Sequence, residues 1–338
     1  TATTEIYTSF PTRRSSDLSI VELLEMSGEE NEYVSVADQL RELYAQHPWS
    51  VTGGGAVEAK TLLEEKALSF LGSHVVAMGR ITHTGSDEAY FFPKGAVKRL
   101  GVNDNARKLL VEGDVVRDWA IRAETETLFP YDLDLRVVPE DSRNPLLRIL
   151  WQRKPYLVRR REPNGTHEEI GLTWFEWSRW HPERFSVPLG IAFSFVATHN
   201  HFVLDRGGKV FNRSAPVIKL PAGTTEGDHL ALLGLLNSST ACFWMKQVFH
   251  NKGSTVDDKG ARQTTIAFEN FYEFTGTGLK RFPIANDPEQ KAQALAGSLD
   301  RQAQSLAKLD PAAVLGERPP SPRSEERRVG KECRSRGS

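Results

Sequence analysis

The residues best suited to chemistry in this sequence are arginines and lysines set among aromatics. Trp151 to Gly165 (WQRKPYLVRRREPNG) carries Arg153, Lys154, Arg159, Arg160 and Arg161. Read as a strand from Tyr156 onward, it puts Arg159 and Arg161 on one face. A planar guanidinium forks onto a phosphate or onto the O6 and N7 edge of guanine, so this segment is a candidate nucleic-acid surface. The polar, glycine-containing loop His250 to Arg262 (HNKGSTVDDKGAR) adds Lys252, Lys259 and Arg262, and such a loop can enter a groove. The expectation is that Arg159, Arg160, Arg161, Lys252, Lys259 and Arg262 approach one surface. Asp257 and Asp258 weaken it by repelling phosphate, although a carboxylate can accept from the cytosine amine. The bland reading stays open beside it. A charge run is often a solvated face, and the aromatic block Leu172 to Trp180 (LTWFEWSRW) is equally suited to a core.

Other constellations carry less. Val51 to Ala56 (VTGGGA) has the glycines of a phosphate or S-adenosylmethionine loop, but such a loop follows a buried strand, and AQHPWS is not strand-like. A flexible linker fits better. Thr198 to His201 (THNH) invites a metal or nuclease reading, yet neighbouring strand positions point to opposite faces, which favours structural histidines. No GxSxG elbow occurs. Methylation of an adenine amine uses Asn or Asp, then Pro-Pro, then an aromatic that stacks on a flipped base. Arg143 to Leu147 (RNPLL) lacks the second proline and the aromatic, and Glu317 to Ser321 (ERPPS) lacks the Asn or Asp. No catalytic, cofactor-binding or metal-ligating residue is assigned.

The elements that must position the basic residues are short strands in the middle of the chain with helices at both ends, an α+β architecture. Val34 to His47 and Val57 to Leu71 read as helices, the second stopped by Gly72. His74 to Ile81, Ala89 to Phe92, Asp114 to Ile121, Tyr156 to Arg160, Leu189 to Val196 and His201 to Leu204 read as strands, with a helical turn near Lys94 to Leu100. Asp205-Arg206-Gly207-Gly208 before Lys209 to Phe211 reads as a hairpin turn. Asp228 to Asn237 and Ser238 to His250 read as consecutive helices, the second capped by Ser238. Asp287 to Leu309 is the clearest helix, with Asp287 at the N-cap, Pro288 next, and one stripe of Ala292, Leu295, Leu299, Ala303, Leu306 and Leu309.

Composition sets the outer bounds. The 338 residues are 39% hydrophobic and 26% charged with a formal net charge of -1, which suits a globular protein and argues against coating nucleic acid by bulk charge. A basic cleft on an acidic body remains open. The longest apolar run, Pro188 to Ala197, is strand-length, so no membrane span is expected. The two cysteines, Cys242 and Cys333, exclude a disulfide framework, and a cytoplasmic location is the expectation.

The two ends look foreign. Ser9 to Leu18 (SFPTRRSSDL) can be encoded by an oligonucleotide whose reverse complement translates as Arg323 to Glu332 (RSEERRVGKE). This inverted pair resembles a sequencing-library adapter read through as coding sequence. Residues 1–18 and 323–338 are therefore expected to be non-native, and residues 19–322 a piece of a longer protein.

Long strings in that piece carry a resemblance. HPWSVTGGGA, GDVVRDWAI, ATHNHFVLDRGGKVFNRSAPVIKLPAG, LLGLLNSSTACFWMKQVFHNKG and ENFYEFTGTGLKRFPI occur in order between His47 and Ile284. Together they resemble the carboxy-terminal half of the PglX family, adenine-specific DNA methyltransferases of phage-growth-limitation and type 2 BREX defence systems. The resemblance, over about 19–286, implies an irregular mixed-strand target-recognition domain over 74–286 preceded by a helical linker (19–73); the residue pattern adds a C-terminal amphipathic helix (287–310) and a disordered tail (311–338). It implies double-stranded DNA as partner, other phage-defence proteins as further partners, and S-adenosylmethionine as cofactor of the full-length family. The donor loop and Pro-Pro motif lie upstream in that family, so the chain alone is expected to be inactive and to bind no cofactor. The alternative is a non-enzymatic interaction module of a defence complex, with 287–309 as its docking helix.

Overall fold

In the computed structural model, residues 3–6, 21, 23, 26–29, 36–45, 49, 55–253, 270–285, 290–307 and 309 are described. The architecture is α+β, as the sequence suggests: small, mostly antiparallel sheets flanked by helices.

The central sheet orders Phe202–Asp205, Gly190–Phe193, Val217–Lys219 and Ala77–Gly79, all antiparallel. Side chains alternate across a strand, and here both faces are covered. Ile191, Phe193, Phe202, Leu204 and Ile218 enter one core with the helices Glu226–Leu236 and Ser239–Val248. Ala192, Val203 and Val217 enter another with Val111 and Phe211. Burial on both sides explains why Pro188 to Ala197 is a continuous apolar run rather than an alternating one.

A second sheet orders Lys209–Phe211, Arg107–Val111, Thr125–Leu128 and Phe91–Pro93, with the first pair parallel. It covers a third core of Tyr90, Phe129, Tyr131, Leu146, Leu150, Trp174, Phe175 and Trp177. The aromatic block Leu172 to Trp180 is thus interior packing. Lys209–Phe211 joins the two halves: Val210 enters this core and Phe211 the neighbouring one.

Several expectations change. Asp205 to Gly208 is a turn, with Gly207 and Gly208 at positive φ, but not a hairpin: the strand before it pairs with Gly190–Phe193 and the strand after it with Arg107–Val111. Asp114 to Ile121 is not one strand. A 3-10 turn, Gly113–Val115, leads into a hairpin of Val116–Arg117 and Ala120–Ile121 with Trp119 at φ 66. Tyr156 to Arg160 is not a strand either, because Lys154–Leu157 is a helical turn whose early Pro155 is preset for helix. Asp87–Tyr90 is helical before the strand Phe91–Pro93. Within Val34 to His47 the structure holds a strand, Val36–Gln39, paired with Thr3–Ile6, and a 3-10 turn, Arg41–Tyr44.

The helix over 56–65 packs on Ser239–Val248, where Trp244 Nε1 donates to Glu64 Oε1 at 3.0 Å. Ser69–Phe70 pairs with Pro283–Ile284, so 56–73 is built into the same body. The helix Gln290–Ala307 lies on Glu226–Leu236, whose start is closed by a Thr225–Asp228 capping box. Asp287 and Pro288 lie outside the described residues. The leucine stripe of this helix faces out: Leu295 and Leu306 are 62% and 65% exposed, and Ala296 and Asp300 face the neighbour instead.

Candidate nucleic-acid interface

A cavity of about 690 Å³ opens where five separate segments meet, lined by Arg80, Arg213, Lys252 and Lys280 together with Met78, Phe195 and Pro216. Among the described residues no Asp or Glu lines it. Arg80, Arg213 and Lys280 make no ion pair or side-chain hydrogen bond among the described residues, whereas Lys252 Nζ is 2.7 Å from Glu273 Oε2. Three unpaired cations around one concavity set a positive potential that favours a multivalent anion.

Each cation is placed by ordinary packing. Arg80 follows the strand Ala77–Gly79, and Arg184 Nη1 donates to its carbonyl. Arg213 tops a tight turn in which the Ser214 backbone N–H and hydroxyl both donate to Asn212 Oδ1, at 2.8 and 2.6 Å. Lys280 follows the short helix Gly276–Leu279, where Thr275 Oγ1 accepts from Gly278 N. That helix presses on the strand before Arg80: a Cβ at Gly276 would stand 3.2 Å from Met78 Sδ. Lys252 sits on His250–Gly253, which pairs with Phe271–Glu273.

A second cavity, of about 570 Å³, adjoins the first and shares Val196 and Ser214 with it. Its polar lining differs: Glu112, Asp114, Arg117, Thr198 and His201. Burial, then the nearby Asp114 and Asp87, push the Glu112 carboxyl above the usual carboxylate range, opposed by a hydrogen bond from Asn212. His201 Nδ1 lies 2.8 Å from Asp118 Oδ1, so the ring donates to the carboxylate. Among the described residues no cluster of His, Cys, Asp and Glu could hold a metal.

The residues singled out from the sequence divide. Arg160 is only 7% exposed, and its guanidinium donates to the carbonyls of Leu157, Thr84, Trp174 and Glu176. It is a cross-brace under the aromatic core, with no free donor edge to offer a phosphate. Arg159 and Arg161 are exposed, Arg161 in a small hairpin opposite Thr166, and neither lines the basic cavity. Lys252 does line it. Lys259 and Arg262 lie outside the described residues; of the described residues on either side of them, Lys252 lines one cavity and Phe271 the other. Arg80, Arg213 and Lys280 were not singled out. Each is a lone or paired cation in an otherwise apolar or turn-like string, so only the fold brings them together.

No protein-family model matches the chain. Over 305 residues, 89% of its length, it is 37% identical to the adenine-specific methyltransferase PglX of Streptomyces coelicolor. The chain is similar to part of that methyltransferase. It spans 25% of the length of this curated relative. Among solved structures, it is similar to the type IIL restriction-modification enzyme MmeI in complex with DNA, at 11% identity and a TM-score of 0.44 over 69% of this chain and 28% of that one. It is also similar to the type IIG restriction endonuclease BpuSI, at 12% identity and a TM-score of 0.43 over 85% of this chain and 33% of that one.

Proposed function

We propose that this chain is the DNA target-recognition part of a site-specific adenine DNA methyltransferase acting in phage defence. The observation that carries the reading is the basic cavity, where Arg80, Arg213 and Lys280 are unpaired beside Lys252. Phosphate contacts hold a duplex in register, and groove contacts then read it. Lys259 and Arg262, which lie outside the described residues, are further candidate DNA contacts in this reading. Arg159 and Arg161 extend the basic surface in this reading, and Arg160 drops out of it. The 37% identity with an adenine-specific methyltransferase supports the same assignment.

Methyl transfer in the full-length family uses S-adenosylmethionine. The basic cavity does not fit that donor, since its cationic sulfonium would sit among Arg80, Arg213, Lys252 and Lys280. The chain also holds no Asn-Pro-Pro-aromatic or Asp-Pro-Pro-aromatic string. No transfer step is therefore derived from its residues, and transfer of a labelled methyl group to adenine by this chain alone would overturn that part of the reading. Recognition itself is tested by titrating duplex DNA at several salt concentrations. Counterion release makes the logarithm of affinity fall linearly with the logarithm of salt. Binding without salt dependence, or no binding, would sink the proposal.

A second reading has its own observation. Leu295, Leu299 and Leu306 are exposed along the helix Gln290–Ala307, as an interaction module of a defence complex would present them. Replacing two of these leucines separates the readings, because loss of a protein partner with DNA binding intact assigns the stripe to docking.

A further inference from the structure

Glu112 stands next to the basic cavity, where a carboxylate would repel the phosphates that the cavity attracts. Its position is nonetheless enforced. Asn212 Nδ2 donates to Glu112 Oε1 at 3.0 Å, Asn212 Oδ1 accepts from Ser214, and Ser214 Oγ accepts from Gly113 N at 2.9 Å. A Cβ at Gly113 would collide with the Ser214 carbonyl oxygen, so only glycine lets the two turns close on each other. The network leaves Glu112 Oε2 without a partner among the described residues. Asp114, in the same cavity, also makes no ion pair or side-chain hydrogen bond there. Arg117 lines the cavity too, but its guanidinium turns to the Val116 carbonyl rather than to either acid.

A half-buried carboxylate held through one oxygen, with the other left without a protein partner among the described residues, has a definite complement in DNA. In the major groove the exocyclic amines of adenine and cytosine donate hydrogen bonds, whereas guanine and thymine present acceptors. The carboxylate accepts from the first two and repels the second. We infer that Glu112 is a base-reading acceptor that selects an exocyclic amine, adenine N6 or cytosine N4, at one base pair of the DNA site. Asp114 widens the same acceptor wall. The turn of Asn212 to Ser214 couples the two jobs, with Arg213 facing the phosphate side and Asn212 fixing the reader. This inference rests on the DNA-recognition reading and adds a base class to it.

The test uses the full chain and a randomised duplex pool, followed by titration of the selected site. Wild-type protein is expected to select adenine or cytosine at one position. Removing that single amine, with a purine or pyrimidinone analogue in the duplex, is expected to weaken binding about five- to hundredfold at that position, in line with the discrimination of a good base contact. Glu112→Ala, which removes the acceptor where Gln would keep an amide oxygen able to accept from adenine N6, is expected to relax the preference there. Two outcomes overturn the inference: a selected site in which no amine deletion matters, or an unchanged preference in a folded Glu112→Ala protein. The analogue duplexes probe the wild-type chain, so the result does not depend on the variant folding. Failure of the wild-type chain to bind any duplex is a different result, because it removes the recognition reading itself.

Discussion

Asn212 Nδ2 lies 3.0 Å from Glu112 Oε1, although one hundred residues separate them. The bond ties the turn that carries Arg213 to the turn that carries Glu112. It crosses from the end of Lys209–Phe211 to the end of Arg107–Val111, two strands paired in parallel. Parallel neighbours finish side by side, so the segments that follow both strands emerge at the same edge. The two cavities therefore share Ser214, in the turn that follows one of these strands, while Val196 reaches both from a separate sheet.

Arg213→Glu is expected to weaken duplex binding about equally for all sequences and to flatten the salt slope by about one for each phosphate it no longer neutralises. Arg80→Ala and Lys280→Ala should act in the same way, since both line the same cavity unpaired. Fluorescence titration at three or more salt concentrations measures the slope. An unchanged slope in all three variants would show that the cavity is not the phosphate site.

Arg160→Ala is expected to act on stability. Four carbonyls lose a donor, and those of Trp174 and Glu176 have no other protein donor among the described residues; each buried acceptor left unpaired costs about 1–3 kcal/mol, so a total loss above about 2 kcal/mol is expected. Urea melts report it. Arg159→Ala, at an exposed position, should stay within about 0.5 kcal/mol of wild type. A stable Arg160 variant that no longer binds DNA would restore that residue to the interface.

The contrast between these two arginines shows what local sequence can carry. Arg159 and Arg160 are adjacent in one charge run, and no periodicity tells which is buried, because Pro155 starts a helical turn where the pattern suggests a strand. Strand identity was legible wherever both faces were apolar, as at Gly190–Phe193, and helix caps were legible at Ser238, whose hydroxyl accepts from Ala241 N at 3.1 Å. Strand pairing was not, since Asp205 to Gly208 has hairpin chemistry but feeds two sheets. The basic cavity was legible only at Lys252. Arg80, Arg213 and Lys280 lie far apart in the chain, and their convergence belongs to tertiary packing.

His167 gives a pH prediction. Its Nδ1 donates to Thr173 O at 3.2 Å and its Nε2 accepts from the Ser178 hydroxyl at 2.8 Å, which describes a neutral ring. Burial, then the Arg160 charge, lower its pKa from 6.5. The unfolded chain therefore takes up the proton first. The contribution is fully present above about pH 6.5 and is lost as pH falls through the lower folded value. Urea melts at pH 7.5 and below 6 should show a smaller acid loss for His167→Gln than for wild type. An equal or larger loss in the variant would contradict the neutral buried ring.

The last prediction concerns which side of the helix Gln290–Ala307 is buried. Its leucines suggest one face, but small residues make the contact with Glu226–Leu236. A Cβ at Gly234 would stand 3.1 Å from the Ala296 Cβ, and a Cβ at Gly227 would collide with Gln293 Nε2. The backbones approach closely because nothing larger than these residues lies between them. Polar ties complete the seam: Arg206 Nη2 is 2.7 Å from Asp300 Oδ2, and Gln304 Nε2 donates to Trp119 O at 2.9 Å. Ala296→Leu should overpack this seam and cost about 1–3 kcal/mol. Leu306→Ala removes a far larger apolar side chain, yet it is expected to change stability by less than about 0.5 kcal/mol because the leucine is already exposed. Thermal or urea melts of the two variants compare the faces directly. The reverse order, with the leucine variant costing more, would mean that the leucine stripe and not Ala296 packs against the body.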